Sequence, residues 1–144
     1  MSAQFDLDFG DAEHGGIFFV TSEDLEPLAE AAGMQGLRVC RISLADYTDE
    51  DALFDRLTRA LHLPADFGRN WDALADSMRD LSWLKASGYI LLFDHAEQMR
   101  NHNEDDFDTL LDIVEEAVDY WQEADTPFFV FFALPESAFD DTDA

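Results

Sequence analysis

The 144 residues carry 33 acids against 8 lysines and arginines, a formal charge of −25 at pH 7, and that field argues against direct binding to nucleic acid or to an anionic membrane surface. The length and a hydrophobic content of 47%, with 13 phenylalanines, fit one compact domain with a sizeable core and exclude wholesale disorder. The single cysteine, Cys40, excludes an intrachain disulfide and suits a reducing cytoplasm. The opening MSAQFDLDFGDAEHGG has no basic n-region and no apolar h-region, so no signal peptide is expected, and no apolar run is long enough to span a membrane. The expected setting is the cytoplasm.

In chain order, GIFFVT (16–21) follows a Gly-Gly turn and reads as a buried strand. SEDLEPLAEAAGMQG (22–36) reads as a helix, with Ser22 as N-cap, Leu25, Leu28, Ala29 and Ala32 on one face, and Gly33 or Gly36 as the stop. LRVCRISL (37–44) is a second strand, in which Cys40 is a small buried hydrophobe. YTDEDALFDRLTRALHL (47–63) is a helix capped by Thr48, with Leu53, Leu57, Ala60 and Leu61 in one stripe, broken by Pro64. A loop from Leu63 to Arg69 then leads into a helix over 70–81, for which Asn70 is the N-cap and Asp72 a first-turn acid favoured by the helix dipole.

SWLKASG is a connection, and YILLFDH (89–95) a third apolar strand. NEDDFDTLLDIVEEAVDYWQE (103–123) is a long amphipathic helix, with Phe107, Leu110, Leu111, Val114, Ala117, Val118 and Trp121 in helical period. PFFVFFAL (127–134) is a last buried strand, and residues 135–144 form an acidic flexible tail. Near-continuous apolar strands alternating with amphipathic helices imply an α/β layer fold with a mainly parallel sheet flanked by helices. The charge is uneven. Residues 1–36 contain no lysine or arginine, the long helix is nearly as acidic, and the bases gather between Arg38 and Arg100. The acids therefore form faces suited to a cationic partner.

Enzyme chemistry finds little support. GxGxxG, GxxxxGK[ST], CxxC, HExxH and GxSxG are all absent. His95 and His102 stand seven positions apart, near HNEDD, which is no recognised ligand spacing; no metal and no cofactor are expected. Asp72 and Asp76 share a helix face one turn apart, where like charges weaken an isolated helix by a few tenths of a kcal/mol. One reading is that Asp72 serves the dipole and Asp76 is merely solvated. The other is that both meet a partner's arginine or lysine.

The segment LHLPADFGRNWDALADSM resembles the signature of the barstar family, intracellular inhibitors of barnase-like ribonucleases. Leu63-Pro64, Phe67-Gly68, Asn70-Trp71-Asp72-Ala73-Leu74 and Asp76 carry the motif, and the similarity runs over about residues 37–134. It implies a two- or three-layer domain at 37–134; residues 1–36 add an acidic strand-helix unit that the type member lacks, expected to pack on the same domain as an edge strand or to mediate a second contact. It implies inhibition by plugging: the loop and helix enter a cationic nuclease site, and a carboxylate stands in for substrate phosphate. By the same resemblance Asp76 matches the central phosphate mimic, Asp72 the acid one turn earlier, Gly68 and Asn70 the loop lying on the enzyme, and Glu116 a further interface acid on the long helix.

Asp66 and Trp71 complete this expected partner-binding set. The sequence departs from the family's type member at Asp66 and Ala75, where that protein has aromatics, and at Arg69, where an acid is common. The partner implied is a basic ribonuclease or nuclease toxin, met by a protein that is monomeric when free. An acidic regulatory module for a basic non-nuclease protein is the alternative.

Overall fold

The computed structural model describes residues 8–139. Four strands, β1 (Gly16–Thr21), β2 (Arg38–Ser43), β3 (Tyr89–Asp94) and β4 (Phe128–Leu134), form one sheet in the order β1-β4-β3-β2, with every neighbouring pair parallel. The central strands explain the rest. Every residue of β4 is buried, and so is β3 up to Phe93. Strands apolar on both faces need a layer on each side.

The two layers differ in weight. Helix α1 (Leu25–Met34) lies alone on one face, where Leu25, Leu28 and Ala32 join Phe9 over Ile90, Leu92, Phe129 and Phe131. The other face carries α2 (Glu50–Leu61), α3 (Trp71–Met78), α4 (Ala96–His102) and α5 (Glu104–Glu123) over Leu91, Phe93, Val130 and Phe132. Phe93 and Phe132 stack at 4.7 Å at its centre, with Phe107 edge-on to Phe132 at 5.6 Å. The fold is thus a three-layer α/β sandwich. Residues 37–134 alone supply three strands and the heavier helical layer, while the preceding unit adds edge strand β1 beside β4 and crosses beneath the sheet as α1. Gly15 makes that docking possible, since a Cβ there would lie 2.6 Å from the Phe128 carbonyl oxygen.

Several element ends differ from expectation. Ser22 opens a short 3-10 turn rather than capping a helix; Thr21 donates both its N–H and its hydroxyl to Asp24 at 3.2 Å, and α1 begins at Leu25. Asp49, not Thr48, caps α2 by accepting from the Ala52 N–H at 3.0 Å. The helix expected over 70–81 stops at Met78, because Leu81 adopts φ 50° to bury its side chain. Helix α4 is an unforeseen element; only Ala96 and Met99 are buried on it, too few to show a period. In the expected tail, Glu136–Phe139 form a 3-10 turn. Residues 140–144, and residues 1–7 of the expected N-terminal unit, lie outside the described part. Among the described residues no helix is long and apolar enough to cross a membrane.

Two predictions follow from this packing. A chain starting at Leu37 uncovers Ile90, Leu92, Phe129 and Phe131. It should bind the dye ANS strongly and sediment as aggregate, and a dye-silent monomer would show that α1 is dispensable. The second concerns alkaline pH. Burial pushes the Cys40 thiol from its ordinary 9.0 up to about 11, against a smaller opposing pull from Arg38. Tyr47 is raised too, by burial and then by its 2.7 Å hydrogen bond to Asp106, and Tyr89 is raised by burial. Groups raised on folding stabilise fully below their unfolded pKa and cease to as pH passes the folded one. Denaturant titrations should show stability falling between pH 9 and 11, with about 2–3 kcal/mol of the loss absent in Cys40→Ala.

Candidate functional site

The segment between α2 and α3 is fixed residue by residue. Helix α2 ends where His62 turns left-handed at φ 53°, which sends Leu63 inward, buried, with its N–H on the Thr58 carbonyl at 3.1 Å. A tight turn closes with the Phe67 N–H on the Pro64 carbonyl at 2.9 Å, and the Phe67 ring meets Phe54 edge-on at 5.8 Å. Gly68 is exposed, and a Cβ on it would press to 3.2 Å from the Ala73 Cβ. Arg69 takes φ 53° and folds back onto α2, with Nη2 2.6 Å from Asp51 and 3.0 Å from Asp55. These ion pairs hold its pKa above the ordinary arginine value. Arg69 therefore tethers the loop to α2.

Asn70 is the cap the sequence suggests: Oδ1 accepts from the Ala73 N–H at 2.7 Å and Nδ2 donates to the Gly68 carbonyl at 3.3 Å. Trp71 is half-buried, with its ring edge-on to Phe54 at 5.3 Å, so most of it serves the α2–α3 contact. Asp72 and Asp76 point to solvent, the Asp76 side chain being 78% exposed. Glu116, forty positions further on in α5, is brought to the same surface because α3 packs on α5. One guanidinium joins them: Arg79 Nη2 lies 2.9 Å from Asp76 Oδ1, and Nη1 lies 3.3 Å from Glu116 Oε1.

Asp66, Gly68 and Asp76 line a shallow hollow of about 240 Å³ between the loop and α3, together with Phe67, Asp80 and Trp83. Its lining holds three carboxylates and no lysine or arginine. An arrangement of this kind receives a cation with an apolar or planar body. Asp112 and Asp119, four before and three after Glu116, are exposed and continue the anionic stripe along α5.

Sequence reasoning missed Arg79, Asp80 and Trp83. Asp80 continues the spacing of Asp72 and Asp76, and Arg79 stands three after Asp76, so both had a local signal. Trp83 had none. It lies in the connection after α3, and its Nε1 donates to the Leu61 carbonyl at 2.9 Å.

The other chemistry considered does not assemble. Among the described residues no three His, Cys, Asp or Glu side chains converge on a metal position. His102 packs edge-on to Tyr47 at 5.9 Å, and His95 lines a separate hollow at the carboxyl ends of β3 and β4. Cys40 is a buried, protonated thiol, not a nucleophile.

The Arg69 tether makes a testable claim. Arg69→Gln should cost under about 1 kcal/mol of global stability, since its ion pairs are exposed. Hydrogen exchange of the amides at 65–69 should nonetheless quicken. Unchanged exchange there would mean that Pro64 and Phe67 hold the loop without help.

Comparison with known proteins places the chain. No curated protein sequence matches it. Among solved structures, it is similar to the Aeropyrum pernix ORC2 protein in its ADPNP-ADP complexes, with a TM-score of 0.56 at 15% identity over 86% of this chain. The chain spans only 36% of that protein's length, and a likeness at this identity is one of fold. The family model described as Barstar (barnase inhibitor) matches residues 37–133, the span that holds β2, the loop, α3, β3 and all but the last residue of β4. The chain therefore belongs to the barstar family, whose members are inhibitors and not enzymes.

Proposed function

We propose that this protein inhibits a basic ribonuclease or nuclease toxin by inserting the 64–70 loop and α3 into its active site, with Asp76 in the place of substrate phosphate. The observation that carries the reading is the meeting of Asp76 and Glu116 on one exposed surface, from helices forty positions apart in sequence. A phosphate-binding pocket is lined by arginine and lysine, and carboxylates entering it gain charge-assisted hydrogen bonds. Asp72 supplies a second carboxylate one helical turn away, while Gly68 and Asn70 present loop backbone. Asp66 and Asp80 add charge at the hollow, and Trp71 braces the helix start.

The net charge supports the same reading through kinetics. A field of −25 draws a basic partner in and raises its rate of association, most strongly at low salt. An inhibitor needs that speed when its target attacks the RNA of the same cell, which puts its action in the cytoplasm. The free protein is proposed to be a monomer, since copies of such charge repel one another. Strand β1 widens the sheet, and with α1 it lies outside the proposed contact.

The decisive experiment is inhibition of purified basic ribonucleases, barnase among them, coupled to rescue of growth on co-expression. Asp76→Ala should weaken the complex by roughly a hundredfold or more, because it strands the partner's buried cation. Asp72→Asn and Glu116→Gln should each cost less, and the association rate should fall steeply between 50 and about 200 mM salt. If Asp76→Ala inhibits as well as the parent protein, the plug is elsewhere.

A further inference from the structure

A cation stands among the acids where α3 meets α5. Arg79 follows the last residue of α3, and its guanidinium spans Asp76 and Glu116, touching one oxygen of each. All three side chains are open to water, with relative exposures of 35%, 78% and 65% in the order Arg79, Asp76, Glu116. Other groups hold the fold around it. The last turn of α3 is closed by backbone, the Arg79 N–H to the Ala75 and Asp76 carbonyls and the Asp80 N–H to Ser77. The α3–α5 contact is held below the surface by Trp121, whose Nε1 donates to the Met78 carbonyl at 2.8 Å.

We infer that Arg79 is the chain's own counter-ion at the binding face: it occupies Asp76 and Glu116 in the free protein and is exchanged for the partner's cation on binding. Residue 79 then sets how fast and how tightly the face captures a basic partner. The inference rests on the ribonuclease-binding reading for the identity of that partner, but the exchange itself is a property of this chain.

Two effects of the guanidinium compete. It restrains the two carboxylates, which favours binding by ordering them beforehand. It also lowers the charge of the trio from −2 to −1 and sets a positive charge where a partner's cations must arrive. The charge effect is the larger. It acts on every approaching cation within a Debye length of about 8 Å at physiological salt, whereas ordering touches two exposed side chains only. A partner arginine offers the same planar fork, so it replaces the pair that Arg79 gives up without leaving either carboxylate bare. Arg79, released, reaches solvent on its flexible stem. A neutral residue at this position makes a stronger and faster trap; the arginine keeps two close carboxylates from repelling one another until a partner arrives.

The test uses the full-length protein with tetra-arginine amide as the cation. NMR of the side-chain carboxyl resonances of Asp76 and Glu116 reads binding at this site alone, apart from the remaining acidic surface. Arg79→Gln should bind the peptide there roughly threefold or more tightly than the parent protein, with a steeper salt dependence, while Arg79→Lys, which keeps the charge, should stay within about twofold. In the parent protein the Arg79 guanidinium signal should sharpen toward that of a free arginine as peptide is added, a readout that needs no variant.

Equal or weaker binding by Arg79→Gln, or an Arg79 signal unmoved at saturation, overturns the exchange and makes Arg79 a fixed clamp. Ribonuclease inhibition separates the two proposals. Loss of inhibition in Asp76→Ala with peptide binding indifferent to residue 79 keeps the inhibitor reading and discards this one. Stronger peptide binding in Arg79→Gln, with nuclease inhibition indifferent to Asp76, keeps the counter-ion and discards the ribonuclease as its partner.

Discussion

The constraint on which this structure turns is that its two central strands have no polar face. A sheet whose middle reads YILLF and FFVFFAL is unstable beside water on either side. Each fully buried phenylalanine contributes about 1.5–3 kcal/mol relative to exposure, so both faces must be covered before the domain gains anything from its core. Four helices cover one face because they are threaded between β2, β3 and β4. The other face is covered by the β1–α1 unit, which starts at the edge opposite β2 and crosses underneath. The described residues before Leu37 thereby contribute to the hydrophobic core, through Phe9, Leu25, Leu28 and Ala32.

The same constraint positions the candidate site. The heavier layer is crowded, and α3, its eight residues buried at Leu74 and Met78, is pressed against α5. Trp121 reaches from α5 to the Met78 carbonyl, so the end of α3 is fixed by a buried hydrogen bond. Asp76 and Glu116 project from these two helices, and their separation is therefore inherited from core packing. The loop in front of α3 is held from three directions: Phe67 on Phe54, Arg69 on the acids of α2, and Asn70 on the first turn of α3. A surface that must meet a preformed pocket gains affinity from such rigidity, because less ordering remains to be done on contact.

How much of this was legible depended on whether the signal was local. The strands announced themselves as apolar runs, the Asn70 cap by residue type, and the 63–76 segment by a motif dense enough to name a family. Element ends were less legible, since they were decided by neighbours. Leu81 turns left-handed to reach the core, and Thr21 bonds Asp24 where Ser22 looked like the cap. Helix α4 was invisible because it buries two side chains only. In the candidate site, Asp72, Asp76 and Gly68 were expected from spacing and motif, and the fold leaves all three exposed. The role of Arg69 was not: it stands where the family favours an acid, and only the folded chain shows its charge turned back onto Asp51 and Asp55. The bridge from Arg79 to Glu116 is a tertiary fact without a sequence period.

The placement of the bases argues about what the large negative charge is for. Arg41 ties β2 to Glu26 of α1, Arg56 bonds the Ser43 carbonyl, Arg69 tethers the loop, and Arg79 joins α3 to α5. Half of the eight bases are thus engaged between elements, where exposed pairs contribute at most about 1 kcal/mol each. The acids outnumber them fourfold and repel one another, so the charge as a whole costs stability. A burden of that kind is consistent with use in association. Range then decides which acids matter. Beyond about 8 Å screening removes most of the attraction at physiological salt, so distant acids on α1 or at the far end of α5 act chiefly on the approach. In the contact we propose, the few charges around Asp76 decide, and there Arg79 is a cation of the chain's own among them. On that proposal the local balance at this point, more than the total of −25, sets what a partner meets on arrival.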